Sequence, residues 1–544
     1  MRSLEKLCRF QVIAFFTMAI CLIVYLLMMH YVQTSSTYFL KTQEVPATAF
    51  IPWLKTRPDR SYNFQISVDK SIHVIDDRFL SFTVDSSQIR KGLINPSLWD
   101  EKLRRIVKHL GGGYVRFGGT AGDLLVFSPG FRVTPEQDVM LDGSSCAYEN
   151  GCSVTSSLRM TKKFSMTAEN WKAINSFAEA VKMKLLFQLN VLLRNAFGGW
   201  NSTNAELILD IAFAYQYNID WELGNEPNAF RHVFGPDMEV PPKNLSTDFT
   251  TLRTLLNRYS LYNASKLVGP DVTNPRDHDG STDESNMTLQ PDVYLSQFLD
   301  GGADVDAVTW HHYYIGRNAT MEDFLDVNTF NSFISSTRRM VDIVKLRTPQ
   351  KPIWIGETGS SYGGGAPLSD RFVSSLLWMD KLGVAAREGI SVVIRQSIYA
   401  GHYALLGDAL RPNPDYWVSA LHKRFVGRKV LNITCFDEVY DHMLRAYAHC
   451  SKDMKLTVFG VNIANTFLGL TLKMNATADF YSLSSSLDSK LVYLNGNLLM
   501  LDYDTQELPP FHPVVVDMNE LVPIPPYSIF FLHIDSLLPA CLNA

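Results

Sequence analysis

Eight short apolar segments, each ending in glycine or polar residues, constrain the fold of this chain more than any other feature. They are residues 79–85, 114–120, 185–192, 219–226, 267–272, 307–314, 352–358 and 392–399. Amphipathic helical patterns lie between several of them, as at Trp171, Ile174 and Phe177. Apolar strands that alternate with helices are typical of a parallel sheet covered on both faces. The pattern predicts an α/β fold, a (β/α)8 TIM barrel over residues 79–423.

An open, doubly wound parallel sheet is the alternative to a closed barrel. In that fold the glycine fingerprint G-x-G-x-x-G commonly follows the first strand and binds a dinucleotide. No such fingerprint follows the first apolar segment here. The pattern therefore favours the barrel and argues against a dinucleotide cofactor.

The 544 residues exceed one ordinary domain, and the pattern changes after residue 423. Strand-like segments follow at residues 455–465, 491–499 and 528–535, with Asn495-Gly496 forming a typical hairpin turn. No long helical period accompanies them. We therefore predict an appended β-sandwich over residues 424–544, and we expect a strand within residues 61–78, before the barrel, to join it.

The first residues indicate entry into the secretory pathway. Basic side chains precede an apolar run over residues 10–29, which approaches the ~20 residues that span a bilayer. A cleaved signal peptide usually has a shorter apolar region and a small-residue cleavage site. Residues 1–33 are interpreted as a type II signal anchor, with a cleaved signal peptide as the alternative, and residues 34–60 as a stalk. Either assignment places the remainder in a lysosome, at the cell surface or outside the cell.

Glycosylation sequons and cysteines agree with that compartment. The sequon N-x-[ST] occurs seven times, although each single match is a weak signal. Seven cysteines are present, two of them within the first 33 residues, and the others suit an oxidising environment. The predicted glycosylation sites are Asn201, Asn244, Asn263, Asn286, Asn318, Asn432 and Asn475.

A long polar segment, residues 128–160, interrupts the barrel pattern after the second predicted strand. Loops of this length inside a compact domain are usually lids, binding loops or processed segments. The segment carries Cys146 and Cys152, for which we predict a local disulfide.

Two glutamates stand where predicted strands end, Glu226 after the fourth strand and Glu357 after the seventh. In a (β/α)8 barrel the carboxyl ends of all strands meet at one face, which holds the active site. Two carboxylates facing one cleft are the apparatus of glycoside hydrolysis, where one donates a proton and the other attacks the anomeric carbon. This chemistry needs neither a metal nor an organic cofactor, and none is predicted.

Neighbouring residues are interpreted by their place on these strands. Asn225 stands beside the first acid, where it can bond a sugar 2-hydroxyl, whereas Glu222 lies within the strand and is treated as structural. The histidines at 311–312 face opposite sides of a strand and form a poor metal pair. One of the tyrosines at 313–314 is a candidate to bond the nucleophile. A net charge of −5 argues against a general nucleic-acid-binding surface.

Nine motifs, found in the expected order, match one known family over most of residues 60–544. In them the chain resembles the family 79 glycoside hydrolases. The motifs are YVRFGGT (114–120), WELGNEPN (221–228), VGPDV (268–272), VTWHHYY (308–314), GETGSSYGGGAP (356–367), DKLG (380–383), NPDYW (413–417), YAHC (447–450) and ACL (540–542).

The resemblance implies a retaining endo-β-glucuronidase that cleaves internal bonds of heparan sulfate, with sulfated glycosaminoglycan chains as its partners. By position, Glu226 corresponds to the proton donor and Glu357 to the nucleophile. The resemblance also implies a disulfide between Cys450 and Cys541, which leaves Cys435 unpaired. Positions similar to the substrate contacts of the family are Asp85, Thr120, Lys163, Asn225, Arg276, Tyr313, Arg317, Gly363, Gly364, Gly401 and Tyr403.

Some positions depart from the family pattern. Where the resemblance implies basic residues after Thr120 and Lys163, this chain has Ala121 and Ser165. Fewer cations predict tolerance of less sulfated chains. The alternatives that stay open are a hyaluronan-cleaving or exo-acting β-glucuronidase of the same family, and a non-catalytic heparan sulfate-binding membrane protein. Some relatives lose an internal linker at the place of residues 128–160, so excision of that segment is the alternative to its retention.

Overall fold

The computed structural model describes residues 52–130, 162–275, 289–437 and 441–542. Within these ranges no helix combines the length and the apolar character needed to cross a bilayer. Several predictions fall outside them: the N-terminal segment of residues 1–33, most of the stalk and of the segment 128–160, the pair Cys146 and Cys152, Arg276, and Asn286.

Parallel strands close into an eight-stranded barrel, which confirms the predicted (β/α)8 fold and excludes the open sheet. Around the barrel the order is β10-β11-β12-β3-β4-β7-β8-β9, and β5 and β6 form a separate pair. The strands up to the end of the barrel are β1 (Arg60–Ile66), β2 (His73–Val74), β3 (Leu80–Asp85), β4 (Tyr114–Gly118), β5 (Leu125–Phe127), β6 (Phe164–Met166), β7 (Lys184–Leu189), β8 (Ile219–Leu223), β9 (Leu267–Val272), β10 (Ala307–Ile315), β11 (Ile353–Ser361) and β12 (Ile390–Arg395).

Helices cover the outside of the barrel. Their starts carry recognisable caps: Asp100 accepts hydrogen bonds from the backbone amides of Lys102 and Leu103, and Thr167 forms a capping box with Asn170. In chain order the helices are α1 (Ser87–Arg90), α2 (Glu101–Lys108), α3 (Ala168–Ala180), α4 (Thr203–Ala214), α5 (Phe230–Val233), α6 (Pro242–Leu256), α7 (Pro291–Asp300), α8 (Met321–Leu325), α9 (Val327–Arg347), α10 (Phe372–Arg387), α11 (Pro414–Phe425) and α12 (Pro539–Leu542).

The barrel interior changes from apolar to polar along the strand direction. A buried apolar layer fills it near the amino ends of the strands and includes Tyr114, Leu186 and Trp354. Because alternate strand residues share a face, Arg116 follows Tyr114 into the interior, and it is fully buried. The apolar layer therefore forms a floor beneath a polar layer at the carboxyl ends of the strands.

The C-terminal region is a sandwich of two sheets, as predicted. One sheet has nine strands in the order β2-β13-β15-β16-β23-β18-β19-β20, with β21 paired to β18, and the other has the order β14-β1-β17-β22. The remaining strands are β13 (Lys429–Leu431), β14 (Ile433–Cys435), β15 (Leu444–Cys450), β16 (Leu456–Asn462), β17 (Leu468–Thr471), β18 (Thr477–Ser484), β19 (Tyr493–Leu494), β20 (Asn497–Leu498), β21 (Val514–Asp517), β22 (Val522–Ile524) and β23 (Ser528–Ile534).

Residues that precede the barrel complete this sandwich. β1 pairs with β14 and β17, and β2 pairs with β13. Phe64 of β1 shares one buried cluster with Leu470, Val458 and Phe530, which come from both sheets. The chain therefore enters the sandwich before it builds the barrel, and returns to it afterwards.

The described residues include one disulfide and six of the predicted glycosylation sites. Cys450 and Cys541 form a disulfide with an S–S distance of 2.10 Å, the pairing that the resemblance implies, and Cys435 is free. Asparagines of the predicted glycosylation sites within the described residues are all exposed, namely Asn201, Asn244, Asn263, Asn318, Asn432 and Asn475.

Two histidines are buried where the barrel meets the nine-stranded sheet. The ring of His422 packs 5.9 Å from Phe79 and 5.6 Å from Phe459, centroid to centroid. His449 Nδ1 lies 2.8 Å from the carbonyl oxygen of Gly427. Burial lowers the pKa of His449 to about 4, and it lowers the pKa of His422 well below its usual value. Both rings are therefore neutral in the folded protein at mildly acidic pH.

This burial predicts a loss of stability in acid. Between pH 6.5, where an unfolded histidine titrates, and pH 4, the unfolded state binds a proton at His449 that the folded state does not. The shift lowers the free energy of unfolding by about 3 kcal/mol over that window. In His449→Gln, we expect the melting temperature to fall less between pH 7 and pH 4.5 than in the wild type.

The control is His232→Gln, because His232 is exposed on the short helix α5. Thermal melts across the pH range are compared for the three proteins. Equal slopes for His449→Gln and the wild type would contradict the prediction.

Candidate active site

Glu226 lies just beyond the end of β8. Its backbone is left-handed, with φ 54° and ψ 51°, a conformation that a non-glycine residue keeps only where its surroundings hold it. Its amide donates to the carbonyl oxygen of Asp271 at 3.0 Å, and Pro227 starts the next turn. The carboxylate is 15% exposed. The turn therefore presents an acid to the barrel mouth while keeping it largely out of water.

Glu357 projects from a bulge in β11. Trp310 pairs with Ile355, but the next residue, His311, pairs with Glu357, so Gly356 is the extra residue. A β-carbon on Gly356 would lie 2.1 Å from Asp271 Oδ1, which explains the glycine. Bulges re-aim side chains and are frequent next to active sites.

Two donors hold the Glu357 carboxylate. The Tyr313 hydroxyl donates to Oε1 at 2.6 Å, and Arg116 Nη1 donates to Oε2 at 3.0 Å. Burial raises the pKa of Glu357, and the charge of Glu226 raises it further, whereas His311, Arg116 and Tyr313 act in the opposite direction. Burial outweighs these groups, so the pKa of Glu357 lies above its usual value. Arg116 and Tyr313 oppose that rise and favour the ionised form, which is the form that a nucleophile needs.

The guanidinium of Arg116 links several acceptors inside the barrel. Besides Glu357, it donates from Nε to Glu222 Oε2 at 2.8 Å and from Nη2 to Asn225 Oδ1 at 2.9 Å. Nη2 also lies 3.5 Å from Asp271 Oδ2. Because Arg116 engages the amide oxygen of Asn225, the amide nitrogen of that side chain remains to donate to a ligand.

His311 connects the other acid to this network. Its Nδ1 lies 2.9 Å from Glu226 Oε1, and its Nε2 lies 3.3 Å from Asp271 Oδ1. Burial by itself lowers the pKa of His311, but the bonds to Asp271 and Glu226 outweigh it and raise the pKa to about 10. His311 is therefore an imidazolium at neutral pH.

Charge in this network is unbalanced. Four carboxylates, those of Glu222, Glu226, Asp271 and Glu357, surround two cations, Arg116 and His311. Like charges that share a buried site favour retention of a proton on one of them. Burial raises the pKa of Glu222 to about 8, so this buried carboxyl group can keep a proton at neutral pH. Glu226 and Glu357 are the two carboxyl groups at the mouth, the number that acid-assisted glycoside cleavage requires.

Several predicted contact residues border these acids. Asp85, at the end of β3, accepts a hydrogen bond from Gln396 Nε2 at 2.8 Å. Tyr403 is buried, and its ring stacks on Tyr313 with centroids 6.3 Å apart. Thr120 is half-buried at the first residue after the turn that follows β4. Lys163 is exposed just before β6, and within the part of the chain that the structure describes no hydrogen bond or ion pair joins it to the acids.

Two glycine-containing loops pack together beside Tyr403. Gly363 and Gly364 have φ values of 67° and 92°, and Gly401 has 83°, a region that favours glycine. A β-carbon on Gly401 would lie 3.0 Å from the Gly364 carbonyl oxygen. That same oxygen accepts from the His402 amide at 2.7 Å. Bare backbone therefore forms this part of the wall.

A cavity of about 500 Å³ borders these loops. Arg317, Tyr362 and His402 line it together with Gly365, whereas the two glutamates do not. Arg317 therefore lines an open space beside the glycine loops.

Sequence reasoning missed three members of the network: Arg116, Asp271 and His311. Each lies in a recognised motif, and a charged residue inside an apolar strand, as in YVRFGGT, is itself a signal of a functional interior position. His311 was considered only as half of a metal pair. Glu222, treated as structural, does bond Arg116 rather than reach the mouth, and it is fully buried.

Comparison with known proteins shows which family this chain belongs to. The model of glycosyl hydrolase family 79, N-terminal domain, matches residues 66–383. Heparanase of Gallus gallus is 35% identical over 516 residues, which cover 88% of this chain and 96% of that protein. Hyaluronoglucuronidase of Hirudo nipponia is 31% identical over 436 residues, 74% of this chain and 83% of that protein.

A solved structure shows the same fold. The 4-O-α-L-rhamnosyl-β-D-glucuronidase of Fusarium oxysporum 12S aligns with a TM-score of 0.62, covering 87% of this chain and 100% of that one at 13% identity. The family match spans more than half of the chain, and the relative from Gallus gallus extends the similarity across the sandwich. This chain is a glycoside hydrolase and belongs to glycosyl hydrolase family 79.

Proposed function

We propose that the protein is a retaining endo-β-glucuronidase that hydrolyses internal glucuronidic bonds of heparan sulfate. The observation that carries the proposal is the pair of acids at one barrel mouth, Glu226 and Glu357, held by one network through Arg116 and His311. The 35% identity with a heparanase over most of both chains supports the substrate.

In the first half-reaction, Glu357 attacks the anomeric carbon of a glucuronate. A bond forms between its carboxylate oxygen and that carbon as the bond to the leaving sugar oxygen breaks. Arg116 and Tyr313 fix the carboxylate by one hydrogen bond to each oxygen. The amide nitrogen of Asn225, on the same guanidinium, donates to the sugar 2-hydroxyl.

Glu226 delivers the proton to the departing oxygen. Because His311 donates to its Oε1, the transferable proton resides on Oε2. The same carboxylate then accepts a proton from water, which attacks the glycosyl-enzyme ester and releases Glu357. Retention of configuration follows from these two displacements.

Two cations outside the network of the acids are suited to binding an acidic polysaccharide. Arg317 faces the 500 Å³ cavity, and Lys163 is exposed. Guanidinium and ammonium groups bind sulfates and uronate carboxylates through charge-assisted hydrogen bonds. The exposed sequons support a course through the secretory pathway, where such chains occur.

Hyaluronan is the second candidate substrate. The observation that favours it is the 31% identity with a hyaluronoglucuronidase over 74% of this chain. Two positions where the family resemblance implies cations hold Ala121, which is buried, and Ser165, and hyaluronan carries no sulfate groups for such cations to bind.

Substitution of Glu226 is expected to remove proton donation, and substitution of Glu357 is expected to remove the nucleophile. In Glu226→Gln, we expect heparan sulfate cleavage to fall by ~10²–10⁴-fold, the contribution of general acid catalysis. The first step on a dinitrophenyl glucuronide persists, because that leaving group needs no proton. Glu357→Gln abolishes both reactions. Rates are measured on both substrates with folding checked by circular dichroism.

The matched control is Glu206→Gln, which neutralises a partly exposed glutamate on α4 that pairs with Arg258. It retains wild-type rates. Normal heparan sulfate turnover in either catalytic variant would sink the proposal.

Removal of one hydroxyl is expected to shift the pH profile. Tyr313→Phe deletes a bond to the Glu357 carboxylate, so kcat/KM falls by ~10–100-fold, equivalent to the ~1.5–3 kcal/mol of a hydrogen bond to a charged group. The lost donor favoured the ionised form, so the acid limb moves to higher pH. Tyr314→Phe is the control, since the described residues offer its hydroxyl no hydrogen bond. An unchanged acid limb in Tyr313→Phe contradicts the assignment of Glu357 as nucleophile.

Product sizing separates the substrates. Chains of defined length, one heparan sulfate and one hyaluronan, are digested with the purified protein and resolved by size. We expect internal fragments of heparan sulfate and intact hyaluronan. Internal cleavage of hyaluronan alone establishes the second candidate, and release of single terminal residues establishes an exo-acting enzyme. Salt-sensitive heparin binding without shortening would exclude catalysis.

A further inference from the structure

Lys381 of the DKLG motif lies behind the catalytic strands. Its side chain, on α10, is 1% exposed. Its Nζ lies 2.6 Å from Thr358 Oγ1, 3.0 Å from His312 Nδ1 and 3.1 Å from the carbonyl oxygen of Gly359. The N–H donors of this amine therefore have acceptors here. All three acceptors belong to β10 and β11, the strands that carry Tyr313 and Glu357.

These bonds fall directly after the bulge that aims Glu357. The register between β10 and β11 shifts at Trp310 and His311, and a bulge disrupts the ladder of backbone hydrogen bonds. The Thr358 hydroxyl donates to the carbonyl oxygen of His312, an acceptor 3.3 Å from Lys381 Nζ. Side chains therefore tie the two strands together from the helix side, one residue beyond the irregular step of the ladder.

Ion pairing does not explain why Lys381 is buried here. It makes no ion pair with a described residue, although its Nζ lies 4.1 Å from the Tyr314 ring centroid. Burial lowers the pKa of Lys381, and burial together with Lys381 lowers the pKa of His312. The His312 ring is therefore neutral, and its Nδ1 accepts from the lysine. A buried amine is tolerated only where hydrogen bonds satisfy it, so the bonds of Lys381 to β10 and β11 indicate a geometric role.

The same helical turn is fixed by the C-terminal sheet. Asp380 accepts a hydrogen bond from Arg445 Nε at 2.6 Å and one from the Tyr447 hydroxyl, both on β15. One turn on, a β-carbon at Gly383 would lie 2.1 Å from the Tyr447 ring. β15 therefore presses on the turn that carries Lys381.

We propose that Lys381 is a positioning residue for Glu357: it fixes the bulge between β10 and β11 and transmits the position of the C-terminal sheet to the nucleophile. The inference rests on the proposed function of Glu357. Lys381 touches no substrate, and its contribution reaches the reaction through Thr358 and the bonds that Glu357 makes with Tyr313 and Arg116.

The test replaces Lys381 with methionine, which keeps the length and removes the donors. We expect kcat per folded molecule to fall by ~10–100-fold, the size of one lost hydrogen bond to a charged group, while KM changes little. The acid limb of the pH profile moves upward, because Glu357 loses donors that favour its ionised form. Loss of stability alone would lower the folded fraction and leave the profile in place.

Lys423→Met is the matched control. Lys423 lies on the next helix, α11, with Nζ 3.3 Å from the carbonyl oxygen of Gly111 and 5.6 Å from the Phe82 ring centroid. Burial lowers its pKa to about 7. Gly111 precedes β4, so this lysine serves the opposite end of the barrel. The control keeps the wild-type kcat and pH profile.

A second variant covers the case in which Lys381→Met does not fold. Thr358→Val removes the hydroxyl that joins Lys381 to His312 and keeps the shape. It is expected to move the acid limb in the same direction by a smaller amount. In the double variant with Tyr313→Phe, the fold-loss in rate is expected to be smaller than the product of the two single fold-losses, because both substitutions act on Glu357. The proposal is overturned if the two fold-losses multiply fully in the double variant and the acid limb of the pH profile does not move in Thr358→Val.

Crystal structures of the wild type and Lys381→Met, or Thr358→Val in its place, give a readout that needs no activity. The Glu357 carboxylate is expected to leave the Tyr313 hydroxyl in the variant, and an unchanged contact overturns the proposal. If the wild type cleaves neither heparan sulfate nor hyaluronan, the proposed function fails, and this contact alone decides the positioning role. If it cleaves only hyaluronan, the kinetic test proceeds on that substrate.

Discussion

The buried guanidinium of Arg116 is the interaction on which the polar half of the barrel depends. It has no solvent exposure, and a charge in that position is tolerated only with paired, hydrogen-bonded partners. Glu222, Asn225 and Glu357 supply them from β8, the turn after β8 and β11. One cation thus fixes acceptors from separate strands relative to each other. Removal of any of these partners leaves a donor of the buried guanidinium without its acceptor, which is costly.

The two acids at the mouth have unequal surroundings. Glu357 receives one donor on each oxygen, one cationic and one phenolic. Glu226 has His311 on one oxygen and stands in a strained turn nearer the solvent. Different neighbours allow two like groups to serve different roles, as the proposed function requires. An excess of carboxylates over cations in the network then supplies a reason for one proton to remain.

Periodicity and strand ends explain which features were predictable from the sequence. The segment 267–272 is observed as predicted, and Glu226 and Glu357 were identified because acids at strand ends share one mouth. Strand limits at the mouth were less accurate: β12 ends at Arg395 rather than residue 399, because Gln396 turns to bond Asp85. The bulge at Gly356 could not be predicted from the sequence, because a bulge depends on the register between two strands that are distant in sequence.

The composition of α10 shows how far barrel and sandwich depend on each other. A barrel helix normally keeps a polar face toward solvent, but α10 is buried from Phe372 to Ala386. Strands β11 and β12 cover one side, and β15, β16 and β23 cover the other. The charged residues Asp380 and Lys381 therefore lie in the interior of the protein. Asp380 bonds the C-terminal sheet, and Lys381 bonds β10 and β11. Because α10 is packed against protein on both sides, a shift of the C-terminal sheet must displace either the helix or β11.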